Sequence, residues 1–344
     1  MADYTTIKNS TAHFNTVTWT GNGSARSITG VGFQPDWVWI KDRDNTRWHQ
    51  IYDSIRGAGK VIYSNENTAE GDDINRLSGF VSDGFSLGTN NNVNDNSQKY
   101  VAWNWKAGGA GSANTAGSTN STVSVNTTAG FSIVKYTGTG SNATVGHGLG
   151  AVPKMIFIKR YDSATENWGV YHANLGNTKY LFLNLNNAEA TSSGYWNDTT
   201  PTSTLFSIGT NDVVNTNGGV YIAYCFAEKR GFSKFGSYSG FSNTNGPFLY
   251  TGFKPKYVCI KCTSTTDHFV VDDTARSPFN EANQTLYSNL SNAEYTAGAY
   301  GIDIVSNGIK IRNLDGNYSQ NGRAYVWWAF ADEPLVGDNP VTAR

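Results

Sequence analysis

The residue types with most chemical potential are a Cys-x-x-Cys pair, five histidines and a scatter of carboxylates. Cys259 and Cys262 have the spacing of half a zinc site, but zinc needs a second pair and the remaining cysteine, Cys225, stands alone. Residues three apart on a strand point to opposite faces, so the cysteines read as small buried residues and no disulfide is expected. His13, His49, His147, His172 and His268 show no His-Glu-x-x-His or other metal spacing, and His147 in "GHGLG" reads as a turn. There is no Gly-x-Ser-x-Gly elbow and no Walker loop, and "DRDN" and "EGDD" lack the rest of an EF-hand. A glycosidase would need two carboxylates about 5–10 Å apart in a cleft. Asp72, Asp73, Asp272 and Asp273 are available, but the sequence does not pair them. The expectation is a non-enzymatic protein with no catalytic, cofactor-binding or metal-ligating residue and no cofactor.

Tryptophans in polar loops suggest recognition, because an indole stacks on sugar rings or anchors a protein partner. Trp196 in "SGYWNDT" is the candidate surface contact for a glycan or protein, flanked by Tyr195 and Asn197. Trp48 and Trp168 align with the neighbourhood of Phe269 and are expected in the core.

The elements that would position these residues recur. "GFQPDWVWIK", "GAVPKMIFIK" and "GFKPKYVCIK" share one design, with prolines at 35, 153 and 255. "YVAWNWK", "YIAYCFA" and "YVWWAFA" begin at Tyr100, Tyr221 and Tyr325, and opening segments begin at Phe14, Phe131 and Phe232. Three markers in one order at nearly one spacing point to internal duplication. The closing strand alternates bulky Val101, Trp103 and Trp105 with small residues such as Ala102, the period of a strand over a core. Tyr224 and Trp328 continue the column of Trp103, and each repeat is expected to have its own core. Asp83-Gly84 and Asn307-Gly308 suit two-residue type I′ hairpins.

Finer repeats carry polar chemistry. Asn65/Glu70, Asn184/Glu189 and Asn289/Glu294 lie in an Asn-x-x-x-Ala-Glu pattern. Such a pair could ligate calcium or a sugar hydroxyl, or hold the fold through an Asx turn and a bond to a neighbouring amide. Persistence in every copy favours the framework role, since a binding site is needed only once. Asn90/Asn94, Asn211/Asn215 and Asn313/Asn317 read as turn chemistry. Asp53/Arg56 and Asp273/Arg276 look like a local surface pair, replaced by His172/Leu175 in the middle copy.

These markers divide the chain into an N-terminal anchor segment 1–13, repeats over 14–108, 131–230 and 231–334, a Gly/Ser/Thr linker over 109–130, and a tail over 335–344. The fold expected is all-β: three tandem antiparallel β-sandwiches, concanavalin-like or jelly-roll-like, with helix limited to short turns. "WVWI", "MIFI" and "YVCI" are apolar on both faces. One face belongs to the repeat's own core; the other needs a second sheet, a neighbouring repeat or another subunit. Charged residues are 15%, against roughly 25% for ordinary domains. A net charge of −1 argues against a nucleic-acid partner, and no apolar run is long enough for a membrane helix. The N-terminus lacks the apolar core of a signal peptide.

"GFKPKYVCIK", "YIAYCFAEK" and the closing "NPVTAR" resemble repeats in virion structural proteins of tailed bacteriophages, marine ones especially, across residues 14–344. That resemblance implies concanavalin-like sandwiches and a tail-fibre or receptor-binding subunit, with head-decoration or tail-adaptor protein and carbohydrate-binding or carbohydrate-active protein as alternatives. It further implies a virion location after assembly in the host cytoplasm, other virion proteins as partners, and self-association as a homotrimer. The N-terminal segment would dock on the particle as an added strand. The family offers no catalytic residues to carry over.

Overall fold

A computed structural model describes residues 5–296, 301–338 and 340. The chain is an all-β sandwich protein built of antiparallel sheets. Its described helices are three single turns, Asn91–Asn94, Ser193–Trp196 and Asp212–Asn215, and one 3-10 turn at Ser10–Ala12.

One strand order occurs three times. In the first unit the opening strand Phe14–Thr20 pairs with the closing strand Lys99–Trp105, which pairs with Trp37–Asp42 and then Gln50–Asp53. In the second, Phe131–Thr137 lies beside Val220–Ala227, Pro153–Arg160 and Gly169–His172. In the third, Ser233–Ser239 lies beside Ala324–Pro334, Phe253–Cys262 and Phe269–Asp273. A smaller sheet backs each: Arg26–Ile28, Gly84–Leu87 and Leu77–Val81; Ala143–Gly146 with Leu205–Ile208; and Phe248–Tyr250, Gly308–Ile311 and Ile302–Val305.

The second face of the doubly apolar strand is covered by the neighbouring units. Val38 and Ile40 point into the first unit's sandwich beside Phe85 and Tyr100. Trp37 and Trp39 point the other way, into one core shared with the corresponding faces of the other two units. At its centre are three residues from equivalent places on the closing strands. Trp105, Phe226 and Phe330 meet pairwise, with ring centroids 6.4, 5.7 and 5.4 Å apart. Trp37 stacks on Tyr224 at 4.6 Å, Trp103 meets Tyr257 at 5.6 Å, and Phe157 meets Trp328 at 5.7 Å. Each fully buried aromatic contributes about 1.5–3 kcal/mol by leaving water, so the shared core holds the units together as a sandwich interior holds its sheets. The expectation of separate cores is therefore corrected: the column of Trp103, Tyr224 and Trp328 faces the common centre, the opposite face of the closing strand faces each unit's own sandwich, and in the third unit the two cores run together.

Other expectations are corrected locally. Segment 109–130 is not a loose linker. Its alternating "STVSVN" forms the strand Ser121–Asn126 on the second unit's opening strand, burying Val123, and Ser112–Asn114 pairs outside it. The described part of the N-terminal segment lies on its own chain. Ile7 is in the shared core, the Thr5 hydroxyl donates to the Arg230 carbonyl at 3.0 Å, and the Asp338 N–H donates to the Lys8 carbonyl at 3.0 Å. In the hairpins the two-residue loops are Ser82-Asp83 and Ser306-Asn307, because Val81 pairs with Gly84 and Val305 with Gly308. These glycines open the return strands. A side chain on Gly84 would lie 2.0 Å from the Ile28 carbonyl oxygen, and one on Gly308 2.4 Å from that of Leu249.

Candidate functional site

The repeated glutamates and asparagines and the Asp/Arg pairs singled out by the sequence gather at the three seams. The repeated glutamates mark the seams at the backbone. The Glu70 N–H donates to the Tyr161 carbonyl at 2.8 Å, that of Glu189 to Thr263 at 2.8 Å, and that of Glu294 to Arg43 at 2.7 Å. Each bond runs from the same place on one unit to the same place on the next, and the third returns to the first. A head-to-tail contact that closes after three steps is the geometry of a cyclic trimer, here within one chain.

The asparagines of this motif are framework, though not through an Asx turn. The side-chain oxygens of Asn65, Asn184 and Asn289 accept the backbone N–H of His49, Trp168 and Phe269 at 2.9, 3.0 and 3.0 Å. That bond registers three equivalent buried residues, two of which reach over a seam. Trp168 Nε1 donates to the Tyr63 carbonyl at 2.9 Å, and His49 Nε2 lies 3.0 Å from the Tyr287 carbonyl. His49 Nδ1 accepts from Trp39 Nε1 at 2.9 Å, which leaves Nε2 as the donor. Burial pushes this imidazole well below its ordinary pKa, with Lys41 adding to the effect, so it is neutral. Trp168 is buried as expected, but Trp48 is 41% exposed; His49, one residue on, takes the core position.

Asp53/Arg56 and Asp273/Arg276 are not surface pairs. Arg56 Nε reaches Asp53 at 2.6 Å and Arg276 Nε reaches Asp273 at 2.6 Å, with all four side chains almost fully enclosed. Each carboxylate also takes a bond from the next unit's aromatic column: Tyr224 Oη to Asp53 at 2.8 Å and Trp103 Nε1 to Asp273 at 2.9 Å. Burial works against the Arg56 charge, but Asp53, Tyr224 and Glu70 hold its pKa above the ordinary value. At the equivalent place in the second unit His172 faces Trp328, ring centroids 6.4 Å apart, and burial pushes it down to about 4. A neutral ring with Leu175 beside it replaces a buried ion pair.

The lysine that ends each doubly apolar motif was passed over in the sequence, although its recurrence was the available signal. Lys41, Lys159 and Lys261 are buried. Lys159 Nζ donates to the Glu166 carbonyl at 2.8 Å and, over the seam, to that of Asn67 at 3.1 Å. Lys261 Nζ does the same to Asp267 at 2.6 Å and Asn186 at 3.0 Å. Burial lowers Lys159 to about 7 and Lys41 and Lys261 to about 8, while the carbonyls around them favour the charged form.

The Asn-x-x-x-Asn loops hold in two units and shift in the third. Asn90 and Asn211 cap single helical turns through Asn92 and Val213. In the third unit Asp315 takes that role, accepting from the Asn317 N–H at 2.8 Å, and Ser319 replaces the second asparagine, bonding both backbone groups of Phe241. Asn313 and Asn317 are thus two residues out of register with the cap.

The expected surface contact is corrected. Trp196 is 2% exposed, packed edge-on against Tyr171, and its Nε1 donates to the Lys179 carbonyl at 2.9 Å. Tyr195 is buried and stacks on Tyr180 at 3.6 Å. The short turn Ser193–Trp196, capped by Ser192, rolls both rings inward and leaves only Asn197 outside, bonded by Asn142 at 2.8 Å. Cys225, Cys259 and Cys262 are buried free thiols, and no metal-holding cluster is present among the described residues.

A cleft of about 440 Å³ lies at the seam between the second and third units, bounded by Leu175, Lys179 and Glu189 on one side and Ser237, Tyr238 and Thr263 on the other. No curated protein matches the chain. A family model described as Domain of unknown function (DUF7483) matches residues 9–334, and the chain belongs to that family.

Proposed function

We propose that this protein is a non-enzymatic structural component of a bacteriophage particle, a tail-fibre or receptor-binding subunit that meets the host surface. The observation that carries the reading is how the polar residues are used. The buried Asp/Arg pairs, the seam lysines and His49 bond neighbouring units or pack between them, as suits a rigid scaffold. The phage setting rests on the resemblance of "GFKPKYVCIK", "YIAYCFAEK" and "NPVTAR" to virion repeats. The doubly apolar strand no longer argues for self-association, because its second face is covered within the chain. A homotrimer therefore rests on the resemblance, and sedimentation at micromolar concentration tests it. An anchor in segment 1–13 rests on the resemblance as well, since Thr5 and Ile7 are already engaged by their own chain.

The test is to offer fluorescent full-length protein to intact bacterial cells and to bare capsids. Adsorption to cells supports the receptor-binding reading. Binding to capsids alone overturns it in favour of head decoration. Release of reducing sugar from cell-surface polysaccharide would overturn the non-enzymatic reading.

A further inference from the structure

The three seams share a backbone plan but differ in what fills them. The residues whose carbonyls accept the repeated glutamate N–H groups are Tyr161, Arg43 and Thr263. At the seam between units one and two, the Tyr161 ring packs against the shared core with the Arg56 guanidinium 6.0 Å from its centroid. At the seam between three and one, Arg43 reaches across to both oxygens of Glu294, at 2.8 and 2.9 Å, and to Gln284 at 2.8 Å. Outside it is a groove of about 370 Å³ whose lining, Thr18 to Thr20 with Arg43 and Lys99, comes from the first unit alone. Between two and three, Lys261 and Asn174 still bond over the seam, but the large side chains at two of its positions are replaced. Leu175 stands where the other seams have Arg56 and Arg276, and Thr263 stands where they have a tyrosine or an arginine. The cleft of about 440 Å³ is what their absence opens, and both units supply its walls.

We propose that this cleft binds a neutral carbohydrate, an assignment that rests on the receptor-binding reading and supplies its ligand class. Charge is the first argument. The cleft's charged lining residues are Lys179 and Glu189, an ion pair to each other, so the lining carries no net charge to attract an ionic ligand. Hydrogen-bonding character is the second. Glu189 accepts, Lys179 donates, and the exposed Asn174, Ser237 and Ser239 can do both, which suits hydroxyls that donate and accept at once. Asn174 Nδ2 donates to Ser237 Oγ at 3.3 Å across the seam, so one polar wall is continuous. The third argument is the apolar component. Leu175 and the half-buried Tyr238 ring, which stacks on Tyr325, give the C–H face of a sugar something to lie on. The volume falls within the ordinary small-ligand range of about 300–1,000 Å³.

The ring itself supplies the test. Thr263→Arg places at this seam the residue that closes the one between three and one, with Glu189, which also pairs with Lys179, as the carboxylate it would reach. Saturation-transfer NMR would use the full-length protein with glucose, galactose, mannose, N-acetylglucosamine, maltose, lactose and cellobiose. Transfer to at least one of these sugars is expected from the parent chain and none from Thr263→Arg, with the melting midpoint unchanged or raised. No transfer to any of them, or equal transfer from the variant, overturns the assignment. Should Thr263→Arg melt early, Glu189→Gln at the cleft wall is the second variant, expected to weaken the best sugar at least tenfold; unchanged affinity overturns the assignment. Cell adsorption separates the two readings. Sugar binding without adsorption leaves the cleft standing and fails the receptor reading; adsorption without sugar binding does the reverse.

Discussion

Replacing Arg276 by Leu should be among the most damaging single changes in the molecule, and adding a second change should repair part of the harm. Arg276 is wholly enclosed and bonds Asp273 at 2.6 Å, Glu294 at 3.1 Å, and the carbonyls of Gln284 and Val271 at 2.6 and 2.8 Å. Arg276→Leu leaves the Asp273 carboxylate without its cation, equally enclosed, and held by Trp103 and by the Ala275 and Arg276 backbone amides. Stranding one partner of a buried pair costs about 3–5 kcal/mol, most of it the desolvation of the charge left behind. The second unit shows the alternative, since its His172/Leu175 fills the same position with a neutral ring and a hydrocarbon. Asp273→His combined with Arg276→Leu should therefore be more stable than Arg276→Leu alone by about 1–3 kcal/mol, the coupling range for groups in direct contact. Glu294 loses one cation in both variants but keeps Arg43. Urea unfolding at neutral pH, followed by tryptophan fluorescence and far-UV circular dichroism, measures both. A double variant no more stable than the single one would refute the claim that the stranded charge makes the loss expensive.

Trp105→Ala should cost about 3–5 kcal/mol and shift a single unfolding transition, because the indole touches Phe226 and Phe330 from the other two units; a split transition would contradict the shared core. Residues 14–108 expressed alone should associate or precipitate, since Trp37, Trp39, Trp103 and Trp105 lose their cover; a folded monomer by sedimentation would be the contrary result. Burial raises Asp272 to about 6, opposed by Arg276, so its protonated form is favoured in the fold relative to an unfolded value near 3.9. Its contribution is present below about pH 4 and fades as pH rises through about 6, a loss of at most about 3 kcal/mol. Asp272→Asn should flatten that part of the stability profile, and an unchanged slope between pH 4 and 6 would count against it.

The strand plan was legible because period two and bulk on one side are properties of single segments. The column Trp103, Tyr224 and Trp328 could be read that way, as could the need to cover both faces of "WVWI". What covers the second face is a statement about three distant segments, and no local pattern carries it. The Asp/Arg pairs looked like surface links because spacing shows proximity and not burial. Trp196 misled for the same reason: a polar flank says nothing of a one-turn helix that rotates the ring beneath Tyr171. Register slips of one or two residues, Trp48 for His49 and Asn313 for Asp315, arose where a different residue type performs the same backbone task. The open cleft was invisible because its signal is a pair of small replacements, Leu175 and Thr263, that matter only once the seams are superimposed.

Closure of the three units within one covalent chain has a consequence for dilution. Three separate subunits held by the same contacts would come apart as concentration falls, since each step of their assembly is a bimolecular equilibrium. Here the linking segments hold the units at an effective concentration of order millimolar or above, whatever the bulk value. The return contact from Glu294 to Arg43 is then an intramolecular event, formed as readily by one isolated molecule as by a concentrated solution. A protein built in this way keeps its centre dry when present in a handful of copies.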